Sequence, residues 1–355
     1  MEIKHLQLKL KQKIDKELEK FFEKKLKEAE KIDKVYFEAV KNISDLTLRG
    51  GKRIRASLMQ YGYMAAGRKK SKEVLKASLS MELFHSFALI HDDIIDNDDL
   101  RRGKITLHKK YEALATSAYY PDIELFGHSL AILCGDIAYN YAYEVFLGVK
   151  VEEKLKIKAL KKFNAMSEST IVGEMLDVFG NLKKEVTSSD VLKIYKYKTA
   201  KYTFEGPLLI GCILGGGDSK LRRLLSDYSM NLGISFQISD DMIGLFGTEK
   251  QTGKAVGSDI KEGKKTLLVV SALERVNRKD KLLLNSVLGN QNLTKKDLAR
   301  VQKIVKDCGA YDYCLKLASR YSSKAGKLIL EADNLNKEVS QYLINLADYV
   351  VKRKA

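Results

Sequence analysis

Asp92 and Asp96 stand four residues apart in the stretch IHDDIIDNDDLRRGK, where five aspartates fall within eight positions before the sign reverses. On a helix that spacing puts both carboxylates on one face, roughly 6 Å apart along the axis. Two like charges so placed repel unless a cation bridges them. Oxygen-only ligands suit a hard ion such as Mg²⁺, which keeps several waters and is often shared with substrate phosphates. A calcium loop would need a glycine at its sixth position, and counting from Asp96 that position is Arg101. Taken alone, the pair reads almost as well as a solvated acidic helix end.

A second acidic pair changes the balance. Asp240 and Asp241 follow Gln237 within one helical turn, and a stretch rich in Gly and Lys comes next, with Gly253, Gly257 and Gly263 among Lys254, Lys261, Lys264 and Lys265. Carboxylates that hold Mg²⁺, Mg²⁺ that holds phosphate, and lysines that neutralise the remainder would together grip a diphosphate. Near the start, LRGGKRIRASL places Lys52, Arg53 and Arg55 after two glycines, without the Walker spacing. His85 lies two turns before Asp92 on nearly the same face. By itself a histidine there is more often structural.

Helices must position these groups. Proline occurs only twice and tryptophan not at all in 355 residues, and strand-like alternation is scarce. Helical periodicity marks 72–98, 124–147, 151–181, 188–215, 219–247, 264–276 and 315–352, with an amphipathic helical arm over 1–41. No linker rich in Pro, Ser or Gly interrupts the chain, so one all-α domain spanning 1–355 is expected. FALIHDDIID (87–96) is echoed by FQISDDMIGL (236–245), about 150 residues on, as in two halves of a bundle facing one cavity.

Composition narrows the classes. Hydrophobic content of 45% with 31% charged residues describes a globular chain, and the net charge of +17 suits anionic partners without choosing among them. Four scattered cysteines with no CxxC pair and no His/Cys cluster give no reason to expect a disulfide framework or a zinc site. The N-terminus lacks an apolar leader, and no run approaches the roughly 18 apolar residues of a membrane span, so the cytoplasm is the expected location.

Together, GGKRIR, ELFHSFALIHDDIIDNDDLRRG, YKYKTA, FQISDDMIG and GKAVGSDIKEGKKT resemble the trans-isoprenyl diphosphate synthases. Within that family they are most similar to the archaeal geranylgeranyl diphosphate synthases. The resemblance implies a helical bundle of the isoprenoid synthase type, typically a homodimer. It implies a Mg²⁺-dependent prenyltransferase condensing isopentenyl diphosphate with dimethylallyl, geranyl or farnesyl diphosphate. Asp92, Asp96 and Asp240 would hold three Mg²⁺ ions, supported by Asp93 and Asp241. Arg101, Lys198, Lys254 and Lys264 would bind the allylic diphosphate, and Lys52, Arg55, His85 and Arg102 isopentenyl diphosphate. Thr199 and Gln237 would face the reacting carbons, and the basic tail YVVKRKA would close over the isopentenyl site. Gly244 stands where some members carry a further aspartate.

Three alternatives are weaker. A farnesyl or longer-chain synthase would share every motif. A terpene cyclase would normally pair one aspartate-rich motif with an Asn/Asp–Ser–Glu metal motif. A non-catalytic basic protein binding nucleic acid or membrane would explain the charge but not two acidic pairs embedded in apolar helices; no nucleic-acid partner is expected.

The resemblance also assigns product length to Phe87 and Ala88, just before the first acidic pair. On an ideal helix Ala88 lies close to the line below Asp92, whereas Phe87 sits about 140° round, so Phe87 as a pocket floor rests on resemblance. Phe87→Ala is expected to lengthen the product, read by chromatography; an unchanged distribution would remove the assignment.

Overall fold

Side-chain caps set where many helices begin. Ser71, Asp122, Asp218 and Thr266 each accept a hydrogen bond from the backbone N–H three residues on, and Thr187 and Thr294 form capping boxes with Asp190 and Asp297. These bonds satisfy donors that a helix N-terminus leaves unpaired. The structure, a computed structural model, describes residues 2–183, 185–248 and 255–352, with side chains from residue 8 onward.

The first part of the chain runs α1 (Glu2–Glu30), α2 (Lys34–Leu48), α3 (Ile54–Ala65), α4 (Lys72–Ile95), a two-residue hairpin of β1 (Leu100–Arg101) and β2 (Lys104–Ile105), α5 (Leu107–Ser117), α6 (Ile123–Leu147) and α7 (Glu153–Leu182). Next come α8 (Ser188–Ile194), a π-helix over Tyr195–Glu205, α9 (Gly206–Leu214) and α10 (Ser219–Phe246). The last part holds α11 (Ser258–Lys261), α12 (Leu267–Leu273), α13 (Arg278–Val287), α14 (Lys295–Asp307), α15 (Ala310–Leu330) and α16 (Lys337–Lys352). The fold is all-α, and the hairpin is the only sheet among the described residues.

Three boundaries differ from the periodicity. The stretch 1–41 is not one arm: Asp33 caps α2, which runs on to Leu48, while α1 buries Ile14, Leu18 and Phe22 in the core. The stretch 315–352 divides because Asn336 accepts from the Val339 N–H and donates to the Met64 carbonyl, starting a new helix. Helices α13 and α14 lie outside the stretches marked by periodicity; both are short and amphipathic, burying Leu284 and Val287, and Val301 and Val305.

Burial centres on α4, whose residues are hidden along nearly its whole length, with α6 and α3 packed against it. Beside it, α3 and α9 cross in backbone contact. A Cβ on Gly62 would stand 2.0 Å from the Leu208 carbonyl oxygen, and one on Gly211 1.9 Å from that of Met59. Neither carbonyl can retreat, since both belong to helices. Gly211→Ala should therefore destabilise the protein by about 1–3 kcal/mol through overpacking, visible as a lower urea midpoint with an unchanged slope.

Candidate active site

Helix α4 ends in acid, and α10 carries Asp240 and Asp241 in its last two turns. Asp96 is the C-cap of α4, where the helix dipole already concentrates negative charge. Asp92, Asp96, Asp240 and Asp241 line one cavity of about 330 Å³ together with Lys198 and Lys264. The internal echo in the sequence is thus a spatial pairing across one cavity.

Three cations reach into this acid from separate elements. Arg101, on the hairpin, lies 3.0 Å from both Asp92 and Asp98 and also bonds the buried Asp93. Lys198, on the π-helix, lies 2.7 Å from Asp177, 2.9 Å from Glu174 and 3.3 Å from Asp92. Lys264 sits 2.5 Å from Asp96 and 2.7 Å from Glu262. Burial opposes charge on Arg101 and Lys198, but the surrounding carboxylates outweigh it and raise both pKa values. Burial, then the neighbouring Asp92, raises Asp96. Glu174 and Glu262 are pushed up to about 7, first by burial. Oxygen ligands of Asp92, Asp93 and Asp98 cluster within 4.8 Å of one another, as do those of Asp96, Asp98 and Glu262. An all-carboxylate donor set of this kind fits a hard divalent cation.

The π-helix exists where two neighbours crowd it. A Cβ on Gly173 of α7 would stand 2.2 Å from the Lys198 backbone nitrogen, and one on Gly233 of α10 2.4 Å from the Ala200 Cα. Such widened turns often mark functional sites. Here the widened stretch presents Tyr195, Lys198 and Thr199 to the cavity. Thr199 donates to Gln237 at 2.6 Å, Gln237 donates to Asp241 at 2.8 Å, and the Tyr195 hydroxyl bonds Asp241 while accepting the Leu267 N–H at 2.8 Å. Asp241 is thereby fixed, and burial raises its pKa strongly.

One turn along the π-helix lies a second, basic group. The Arg55 guanidinium stacks 4.2 Å over the Tyr202 ring and donates to Thr203 at 2.9 Å, and the Tyr202 hydroxyl bonds His85 Nδ1. Arg102 donates to the Gly50 carbonyl at 3.0 Å, and Lys52 lies 5.0 Å over the Tyr349 ring of α16. Gly50 and Gly51 have φ of 98° and 108°, so the loop needs glycine there. Burial, then Arg55 and Arg102, holds His85 well below its usual pKa. Arg53 plays another part: Asp15 at 2.7 Å and Glu82 at 3.1 Å neutralise it inside the protein.

The structure therefore brings together Asp92, Asp96, Asp240, Arg101, Lys198, Thr199, Gln237 and Lys264, and groups Lys52, Arg55, His85 and Arg102 beside them. Lys254 and the last three residues of the tail lie outside the described residues. Phe87 and Ala88 do not line the cavity; the Phe87 ring packs 4.9 Å from Tyr139 and 4.7 Å from His91. Asp98 is buried and paired with Arg101. Glu174, Asp177, Glu262, Tyr195 and Asp259 were not foreseen. Glu174 and Asp177 carried a signal, an acidic pair three residues apart among apolar neighbours of α7; Tyr195, Asp259 and Glu262 fall within the motifs YKYKTA and GKAVGSDIKEGKKT, but their partners lie on other elements. Asp259 bears on Gly244: its carboxylate oxygen lies 3.1 Å from where a Cβ on that glycine would stand.

Comparison with known proteins identifies the family. Residues 37–307 match the polyprenyl synthetase family. The chain belongs to that family. It is 34% identical over 312 residues to a geranylgeranyl diphosphate synthase of Saccharolobus solfataricus, covering 86% of this chain and 87% of the relative. It is 31% identical to a geranylfarnesyl diphosphate synthase of Aeropyrum pernix, covering 86% and 91%. The crystal structure of a geranylgeranyl pyrophosphate synthase from Corynebacterium glutamicum, complexed with isoprenyl diphosphate and magnesium, superposes with a TM-score of 0.92 at 29% identity, covering 98% and 99% of the two chains. The polyprenyl synthetase fold expected from the motifs is thus present along the chain.

The crowded acids make stability depend on pH. A carboxyl whose pKa is higher folded than unfolded loses stabilisation as pH rises from its unfolded value near 4.5 through its folded value near 7. Without divalent metal, the unfolding free energy should fall between pH 5 and 8, by no more than about 3 kcal/mol for each of Glu174 and Glu262, read as a falling urea midpoint. Glu174→Gln should flatten that fall.

Proposed function

We propose that this chain is a geranylgeranyl diphosphate synthase, a prenyltransferase that joins isopentenyl diphosphate to allylic diphosphates to give an all-trans product of twenty carbons. One observation carries this reading: two aspartate pairs and three partly buried cations converge on one cavity, with a second basic group one helical turn away. A single diphosphate site would need only the first. The motifs, the archaeal relatives and the superposition support the reading, and the geranylfarnesyl relative is the reason to measure product length. Farnesyl or longer chains are the second reading.

Asp92, Asp96 and Asp240 are the residues that would hold Mg²⁺, three ions in all; when bound, the metal neutralises the allylic diphosphate and favours its departure as pyrophosphate. Arg101, Lys198 and Lys264 contact these carboxylates and are placed to turn their N–H groups to the same oxygens, with Lys254 joining them. Their contribution grows as negative charge grows on the leaving group, which lowers the barrier rather than merely tightening binding. Lys52, Arg55, His85 and Arg102 hold isopentenyl diphosphate, whose double bond attacks the allylic cation left when the C–O bond breaks. The Thr199 hydroxyl and the Gln237 amide, tied to each other, present dipoles to the developing cation. The proton lost from the new chain goes to pyrophosphate. The tail and the basic loop around Lys254 exclude water from the cation.

We further propose a homodimer. Exposed Ile132 and Leu133 on α6, and Ile171, Met175, Phe179 and Leu182 on α7, form apolar surface suited to a second copy. Among the described residues no helix is long and apolar enough to cross a membrane; the cytoplasm remains the proposed location.

Labelled isopentenyl diphosphate with dimethylallyl, geranyl or farnesyl diphosphate tests the reading. Twenty-carbon product that disappears with EDTA and returns with Mg²⁺ is expected; no metal-dependent elongation would defeat it. Lys198→Ala should lower kcat roughly 10²–10³-fold, the loss typical of one transition-state donor. Sedimentation of the same sample reads the dimer.

A further inference from the structure

A second group of potential ligands lies between α5 and α6, apart from the acidic cavity. His108 and Glu112 occupy one face of α5 at i, i+4, and His128 faces them from α6. One ligand atom from each lies within 4.8 Å of the other two. The imidazole planes meet edge to face with centroids 5.5 Å apart, and His128 Nε2 is 3.9 Å from Glu112 Oε1. Gly127 permits this approach: a Cβ there would stand 2.6 Å from Glu112 Cγ and 2.7 Å from the His108 carbonyl oxygen.

His108 has no solvent exposure, and neither of its ring nitrogens has a hydrogen-bond partner among the described residues; His128 Nε2 is likewise buried and unpartnered. A neutral imidazole carries one donor and one acceptor, and hiding both unused is costly. Buried polar atoms are nearly always paired, so orphans gathered at one spot call for a ligand. Nothing in the prenyl transfer uses them.

We propose that His108, Glu112 and His128 bind a zinc-type divalent cation that ties α5 to α6. Two imidazole nitrogens and one carboxylate oxygen, with a fourth position left for water, form a zinc donor set, whereas Mg²⁺ takes oxygen. Ligation at roughly 2.0–2.1 Å draws the three atoms closer than they now stand. Glu112 and His128, partly exposed, have room to move, while His108 is fixed. Lys109, 3.1 Å from the Glu112 carboxylate, gives up that contact. Glu124, one turn before His128 and 4.0 Å from its Nε2, places a further negative charge beside the ion. The absence of a metal-binding spacing in the sequence is no obstacle, because the trio comes from two helices. The Thr106 hydroxyl at the start of α5 donates to the Asp98 carbonyl at 2.7 Å, so an ion here also steadies the hairpin that carries Arg101.

The test uses the full chain stripped with EDTA, then given excess Mg²⁺ and a small amount of Zn²⁺, and desalted. Elemental analysis should find one more zinc per chain in the wild type than in His128→Gln or Glu112→Gln, and zinc should raise the melting temperature of the wild type alone. Co²⁺ in place of zinc should give visible absorption of a low-coordinate site that both variants lack. Circular dichroism and Mg²⁺-dependent prenyl transfer confirm that the variants are folded; the second variant serves if the first is not. Equal zinc in wild type and folded variants, or no retained zinc, overturns the proposal.

Discussion

Carboxylates crowded at the C-terminal ends of two helices are the constraint on which the rest of the site depends. Asp92, Asp96, Asp240 and Asp241 face one cavity, and Glu174, Asp177 and Glu262 add to the same charge. Left alone, such groups would repel or take up protons. Arg101, Lys198 and Lys264 come from a hairpin, a π-helix and a loop, so the fold itself must converge for the acid to remain ionised. Burial first, and then neighbouring carboxylates, raise the pKa values of Asp96, Glu174 and Glu262, and further positive charge in the cavity would favour their ionised forms. Catalysis by charge stabilisation and storage of negative charge are two aspects of one arrangement.

The π-helix is the second structural decision. Helices α7 and α10 press on it through Gly173 and Gly233, closer than any side chain would allow. Within it, Tyr195 locks Asp241, Lys198 meets the acids, Thr199 reaches Gln237, and Tyr202 carries the pair of Arg55 and His85. One widened segment thus links the cavity to the neighbouring basic group. Two diphosphates held in this way would be oriented relative to each other before reaction, which is where an effective bimolecular catalyst gains most.

Residues of similar chemistry take different parts according to what surrounds them. Arg53 and Arg55 are two positions apart, yet Arg53 is neutralised by Asp15 and Glu82 while Arg55 lies on an aromatic face beside His85. Asp98 is a buried partner of Arg101, whereas Asp99 beside it is exposed. His85 and His108 are both held below the ordinary imidazole pKa, first by burial; one shares a hydroxyl with Tyr202, and the other faces His128 and Glu112.

The sequence by itself determined the helical class, the two acidic pairs and the basic motifs. Those signals are local: few prolines, apolar periodicity, and carboxylates spaced for one helix face around Asp92 and Asp96. It also carried the resemblance that assigned Lys198, Thr199 and Gln237. Only the tertiary structure decided that Glu174 and Asp177 bind Lys198, that Tyr195 fixes Asp241, that Asp259 stands against Gly244, and that His108 meets His128. It also decided how closely α7 and α10 approach the π-helix at Gly173 and Gly233. Spacing along one helix predicts which side chains share a face, but contacts between helices depend on how closely backbones approach, and that is set only when the chain packs.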